Sequence, residues 1–294
     1  PDERRKRYEE LVSEVGEPDH PEFPVYSNGG WVGPVSPKSA DELRAMSVED
    51  IVKFLQIWTP PENLFDEPTP EGLGRTLTSV VAEDPQRFAK KAEEFRKLDP
   101  TYVRALLYGL RASLGKGCIF DWDPVLELCQ WIVSQPREIS KRQVRRFEAD
   151  PDWGWTRKTI AWLLEIGFGQ IHGCIPIIFR EKAWTILKSL TEDPEPSLAD
   201  EQYNSFSMNP DDLSFNTTRG AAMHAVICYA LWVRRHLERE ANEERYAHMN
   251  FEKMLEVREV LDAHLDVAYD PSLAIRTVYG KWFPWLISLD TDWA

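Results

Sequence analysis

Asp99-Pro100-Thr101-Tyr102-Val103-Arg104-Ala105, followed by Leu106, Leu110 and Leu114-Gly115, reads as the start, body and stop of one helix. An Asp side chain accepts hydrogen bonds from the free amides of a first turn, and Pro at the first helical position gives up no bond. The leucines recur at every fourth residue on one face, and Gly admits the turn that ends a helix. Asp-Pro recurs at Asp84-Pro85, Asp123-Pro124, Asp150-Pro151, Asp193-Pro194 and Asp270-Pro271. Apolar periodicity follows Asp84, Asp99, Asp123 and Asp270, which makes these four helix starts. Thr69-Pro70 is a fifth, and Ser39-Ala40-Asp41-Glu42 has the form of a capping box.

Working outward from these starts, the spacing predicts helices near 2–15, 40–46, 48–58, 70–83, 85–97, 100–114, 124–135, 156–168, 177–191, 218–245, 251–265 and 271–287, with Pro284 ending or kinking the last. Alternating β-branched runs are missing, and Asn28-Gly29-Gly30 sits in a Pro-rich stretch without strand pattern on either side. The expected fold is all-α: stacked helix pairs forming an irregular α-solenoid. The organisation expected is an N-terminal helix and Gly/Pro-rich arm over 1–38, a first helical subdomain over 39–191, an acidic irregular loop over 192–216, and a second helical subdomain over 217–294 packed on the first. From Ala221 to Val233 the chain is apolar on every side, so this helix should be buried, with Arg234 and the charged residues after it running into solvent. Its expected covers are helix 177–191, through Phe179, Trp184, Ile186 and Leu187, and helix 271–287, through Ile275, Val278 and Trp282.

The chain has 294 residues, twelve of them tryptophan, and a formal charge of −14. That length allows one or two domains at roughly 150 residues each. A field of that sign disfavours phosphates and anionic lipid as partners for the surface as a whole. Cys118, Cys129, Cys174 and Cys228 are scattered, which suits a reduced, cytoplasmic chain, and the Asn216-Thr217-Thr218 sequon is then incidental. No stretch approaches the ~20 apolar residues of a membrane span. The opening Pro1-Asp2-Glu3-Arg4-Arg5, without Met or an apolar segment, reads as a cut inside a longer polypeptide.

The Asp99–Ala105 segment with its leucines resembles the Asp-Pro-x-x-Val-Arg pattern of HEAT-type helical repeats, and Asp270-Pro271-Ser272-Leu273-Ala274-Ile275-Arg276 is similar with its Arg one place later. The resemblance implies an Asp and an Arg that knit neighbouring repeats, with apolar residues packed between helix pairs. The two copies lie much further apart than the ~40–47 residues of a regular array, so the array would be irregular. The chain also resembles helical regions inside large bacterial multi-domain proteins.

Four patterns invite catalytic readings. Gly109 with Gly115-Lys116-Gly117 misses P-loop spacing, lacks the Ser/Thr that would hold magnesium and follows a helix rather than a strand, so a helix stop is expected. His236, Glu240, Glu244 and His248 fall every fourth residue, but that line drifts about 120° over the series, too far for one zinc ion. His224 and Cys228, one turn apart in the most apolar helix, read as a core histidine beside a buried thiol. In Phe120-Asp121-Trp122-Asp123 the two acids read as a turn, with Asp123 capping. No metal, nucleotide or other cofactor is expected.

One cluster stays open. Arg137, Lys141, Arg142, Arg145 and Arg146 form a basic run followed by Trp153, Trp155, Arg157 and Lys158. Cations interleaved with aromatics can hold phosphates and stack bases, but in a chain this acidic the favoured reading is a solvated connector with its tryptophans in the core. The function expected is a non-catalytic protein-interaction or scaffold domain within a larger polypeptide, binding a protein partner or other domains of the parent chain. A nucleic-acid-contacting module acting through that cluster is the alternative.

Overall fold

The computed structural model describes residues 2–16, 35–61, 67–142, 149–169, 173–204, 208–240 and 250–294. The chain divides into two compact units, Pro1–Gly33 and Pro34–Ala294. The first contains α1 (Asp2–Val15), a polar helix with Arg5–Glu9 and Arg7–Glu10 ion pairs along its surface.

The second unit contains α2 (Ala40–Ala45), α3 (Val48–Ile57), α4 (Pro70–Glu83), α5 (Pro85–Ala89), α6 (Pro100–Gly115), α7 (Trp122–Ser134) and α8 (Gly154–Gly169). It continues through α9 (Arg180–Thr191), α10 (Leu198–Asn204), α11 (Pro210–Asn216), α12 (Thr218–Glu240), α13 (Leu255–Leu265) and α14 (Leu273–Leu289). Short 3-10 turns at Ala92–Lys97, Ile177–Phe179 and Phe251–Lys253 take parts of segments expected as single helices. The fold is all-helical, with packed helix pairs; the only β pairing among the described residues is an isolated bridge, Val35 to Pro68.

The capping signals divide into two groups. Ser39 forms the capping box with Glu42, and Thr69, Asp84 and Asp99 each accept a first-turn amide. Asp123 does not cap: Asp121 takes that role by accepting from the Asp123 amide, and α7 starts one residue earlier than Asp123. Asp270 does not cap α14 either, because Ser272 accepts the Ile275 amide there. Asp150, Asp193 and Asp270 are instead buried, and each carboxylate holds an arginine. A carboxylate removed from water needs a counter-charge more than it needs a neutral amide.

Packing runs from neighbour to neighbour. In one layer α4 lies on α6, α6 on α8, α8 on α12 and α12 on α14; in the other the 92–97 turn lies on α7, and α7 on α9, which closes onto α12. One apolar core runs from Leu43 to Leu289 across both expected subdomains. At Gly109 α6 passes close to α4: a Cβ there would lie 2.5 Å from that of Val81 and 2.8 Å from the Thr78 carbonyl oxygen. The 192–216 segment is not irregular throughout, since α10 and α11 lie in it, α11 opened by Asn209 accepting the Asp212 amide and by Pro210.

α12 is buried as expected through its apolar half, and Trp232 is 1% exposed with its indole N–H donating to the Ile175 carbonyl at 3.2 Å. Trp184 of α9 meets Tyr229, and Trp282 of α14 meets His224. Its most extensive cover is α8, which the apolar pattern does not single out; Phe168 lies against both Tyr229 and Trp232. The charged end does not simply project: Arg234 bonds the Ser288 carbonyl and Arg235 the Phe168 carbonyl. α14 neither ends nor breaks at Pro284 but continues to Leu289. Pro284 leaves the Gly280 carbonyl without its helical donor, and both residues are exposed, so water can take that oxygen.

Candidate interaction site

The basic and tryptophan run separates into three fates. Arg137 contacts Asp152 at 3.2 Å, Asp193 at 3.5 Å and Glu195 at 3.2 Å. Arg142 pairs with Asp99 at 2.6 Å and donates to the Asp150 carbonyl. Arg157 pairs with Asp193 at 3.3 Å and donates to the Gln135 carbonyl at 2.7 Å. Trp153 is buried and meets Trp131 edge to face. Trp153 belongs to the interior, and the three arginines are half-buried with their charge already matched. Lys141 is exposed, at a positive φ of 61°. Arg145 and Arg146 lie outside the described residues. Trp155 and Lys158 are half-exposed on α8, with no carboxylate within ion-pair distance of Lys158 among the described residues.

The paired arginines form a series. Arg104 near the start of α6 holds Asp150 at 2.7 Å and Glu71 at 2.6 Å. Arg157 near the start of α8 holds Asp193, and Arg219 near the start of α12 holds Asp270 at 3.2 Å. Burial pulls the Arg104 guanidinium down, and the bonds and charges of Asp150 and Glu71 more than reverse this, so it stays charged. Arg276, the other arginine of the repeat-like segments, bonds only the carbonyls of His264 and Asp270.

Trp155 and Lys158 join a half-exposed face built by α6 and α8. Helical spacing brings Arg104, Tyr108 and Arg111 to one side of α6, and Trp155, Lys158 and Trp162 to one side of α8. The Arg104 guanidinium lies over Tyr108 at 5.7 Å and Trp155 at 5.6 Å, and Tyr108 is 6.0 Å from Trp162. Arg111 and Lys158 both sit over Trp162, at 5.4 and 5.2 Å. A groove of about 320 Å³ between α4 and α6 opens beside this face, lined by Gly74, Thr78, Ala105 and Tyr108 among others. Tyr108, Arg111 and Trp162 were not singled out by the basic-run reading. Their signal is the three- and four-residue spacing along each helix, but only the α6–α8 packing shows that the two rows meet.

A second exposed surface lies on α14. Leu273 (60% exposed), Phe283 (50%) and Ile287 (39%) share a face with Gly280 and Pro284, and Trp285 (47%) flanks it. The opposite face is buried through Ile275, Val278, Leu286 and Leu289.

The chemistry suggested by short motifs is otherwise engaged. His224 is fully buried, accepts at Nδ1 from the Trp282 indole at 2.8 Å and meets Ser214 Oγ at 2.9 Å through Nε2. An indole only donates, so Nδ1 carries the lone pair and Nε2–H donates to Ser214, whose hydroxyl donates to the Asp211 carbonyl. Burial, with Lys281 nearby, lowers the imidazole to about 4, and burial pushes the Cys228 thiol up to about 12. Gly115-Lys116-Gly117 is a helix stop, with Gly117 at φ +77° donating to the Leu114 carbonyl. Of the every-fourth-residue series, His236 Nδ1 meets the Trp232 carbonyl at 2.9 Å, while Glu244 and His248 lie outside the described residues.

His264, which the sequence reading passed over, bonds Asp270 at 2.7 Å in the wall of a cleft of about 280 Å³. Burial raises the Asp270 carboxyl, but the bond from His264 and the charge of Arg219 outweigh it, and the group stays below the usual range. Among the described residues no three His, Cys, Asp or Glu side chains are grouped to hold a metal ion, and no helix is long and apolar enough to cross a membrane. No protein-family model matches this chain, and no curated protein or solved structure is found similar to it.

Proposed function

We propose that this chain is a non-catalytic protein-interaction or scaffold domain, an irregular HEAT-like stack of helix pairs whose partner docks on the outer face of α14. The observation that carries the reading is the row of exposed apolar residues Phe283, Pro284 and Ile287 at the C-terminal end of that face, with Leu273 beyond Arg276 and Thr277 at its other end. Single exposed apolar side chains are ordinary, but a row of them on one helix marks a surface that another molecule covers. More than half of the exposed large apolar side chains among the described residues fall between Leu255 and Ile287. The series Arg104–Asp150, Arg157–Asp193 and Arg219–Asp270 suits a framework that holds such a surface rigid.

This reading stands ahead of a nucleic-acid-contacting module because Arg137, Arg142 and Arg157 are already paired with carboxylates. In the test, the parent chain and a Phe283→Ser, Ile287→Ser variant are compared by melting and by the partner each recovers from cells. The variant should melt like the parent and lose that partner. Recovery of the same partner at the same yield refutes the assignment to α14.

A further inference from the structure

We propose that Arg111 and Lys158, set on either side of Trp162, form a docking site for a peptide segment that carries carboxylates beside an aromatic or aliphatic side chain. The site is separate from the α14 face and does not depend on it.

Charge complementarity carries the inference. Among the described residues, every other half-buried arginine is bonded to a carboxylate or a backbone carbonyl: Arg87, Arg96, Arg104, Arg137, Arg142, Arg157, Arg180, Arg219, Arg234 and Arg276 all are. Arg111 alone has neither, and its Nε is buried without a partner. Lys158 reaches only the Asn216 carbonyl at 2.9 Å, with no carboxylate within 4 Å among the described residues. The carboxylates that act on the pair do so from beyond ion-pair distance: Glu165 on Arg111, its own carboxyl raised by burial, and Glu195 and Asp150 on Lys158, whose ammonium burial pulls down. In a chain of charge −14, two cations held over one indole and left unmatched are the exception.

The rest of the surface selects the occupant. Tyr108 lies against Trp162 and also lines the α4–α6 groove, so a side chain can enter the groove while its neighbour's carboxylate reaches Arg111. The groove's own charges are matched: Glu71 takes both Arg75, at 3.0 Å, and Arg104. A nucleic acid presents a phosphate at every step and needs many cations along its track, whereas two suffice for a short acidic segment.

The test titrates protein carrying fluorinated tryptophan with three probes, following the Trp162 fluorine resonance assigned through Trp162→Phe. The probes are an acetylated Phe-Asp-Glu-Leu peptide, its Phe-Asn-Gln-Leu counterpart and a short oligothymidylate. The acidic peptide should move the resonance, and the other two should not. Arg111→Gln with Lys158→Gln should weaken that binding at least about tenfold, the scale of one lost charge-assisted contact, without lowering the melting temperature. An equal response to the amide peptide, a stronger response to the oligonucleotide, or no response to any probe overturns the proposal. The Phe283→Ser, Ile287→Ser variant should titrate like the parent, so failure here and failure of the α14 assignment are told apart.

Discussion

His224 shows how far a single residue's chemistry is decided by its neighbours. Its imidazole is neutral in the fold, with one ring nitrogen accepting and the other donating, and it is held near 4 while an unfolded chain binds the proton near 6.5. Below about 6.5 the unfolded state therefore takes up a proton that the native state refuses. The contribution is fully present above that value and is lost as pH falls towards 4, amounting to about 3 kcal/mol over the window. Urea midpoints at about pH 7 and about pH 4.5 should differ less in His224→Gln than in the parent. Equal differences would mean that His224 is not the group refusing the proton. That this histidine is a core residue was legible from its apolar flanks. Trp282 was legible as a cover of its helix, but the bond from Trp282 to His224 and the partner Ser214 were not, because both residues lie on other helices and no local spacing connects them. The same limit explains the Asp-Pro pairs: Asp99 and Asp270 look alike along the chain and each holds an arginine, but the half-exposed Asp99 also caps its helix whereas the buried Asp270 does not.

Two elements carry predictions of their own. Trp232 of α12 is buried against Phe168 of α8 and bonds the Ile175 carbonyl, so Trp232→Ala should cost about 3–5 kcal/mol, read from chemical denaturation, with no binding defect beyond the unfolded fraction. A variant that melts like the parent yet loses a partner would make this side chain an interface anchor instead. Gly109→Ala should also destabilise, by about 1–3 kcal/mol, although Ala is the better helix former by about 1 kcal/mol, because the added methyl meets Val81 and the Thr78 carbonyl. A raised melting temperature would show that α4 and α6 can part at no cost. Helix existence was legible almost throughout from caps and periodicity. What was not legible was where a helix tightens into a 3-10 turn, as at Ala92–Lys97, or survives a proline, as α14 does at Pro284. Both depend on what surrounds the backbone rather than on the residues in line.

Across the whole molecule, the buried arginine–aspartate pairs connect successive layers. Removing Asp193 leaves the half-buried Arg157 with carbonyl partners alone while Arg137 keeps Asp152 and Glu195, so Asp193→Asn should cost about 3 kcal/mol, the low end for a broken buried pair, checked by denaturant midpoint. A loss below about 1 kcal/mol, the size of an exposed pair, would mean that water and the Gln135 carbonyl already satisfy Arg157. The basic cluster was visible in the sequence as composition, but its pairings were not: Asp193, which holds both Arg137 and Arg157, comes from the turn after α9, far along the chain. The neighbour-to-neighbour order of α4, α6, α8, α12 and α14 has a kinetic corollary. When each layer touches mainly the next, ordering can spread along the stack from any nucleus, and an end layer can come loose while the middle persists. Amide protons of α6 and α8 should then exchange with solvent last, those of α14 sooner, and the chain should leave its native state in steps rather than at once.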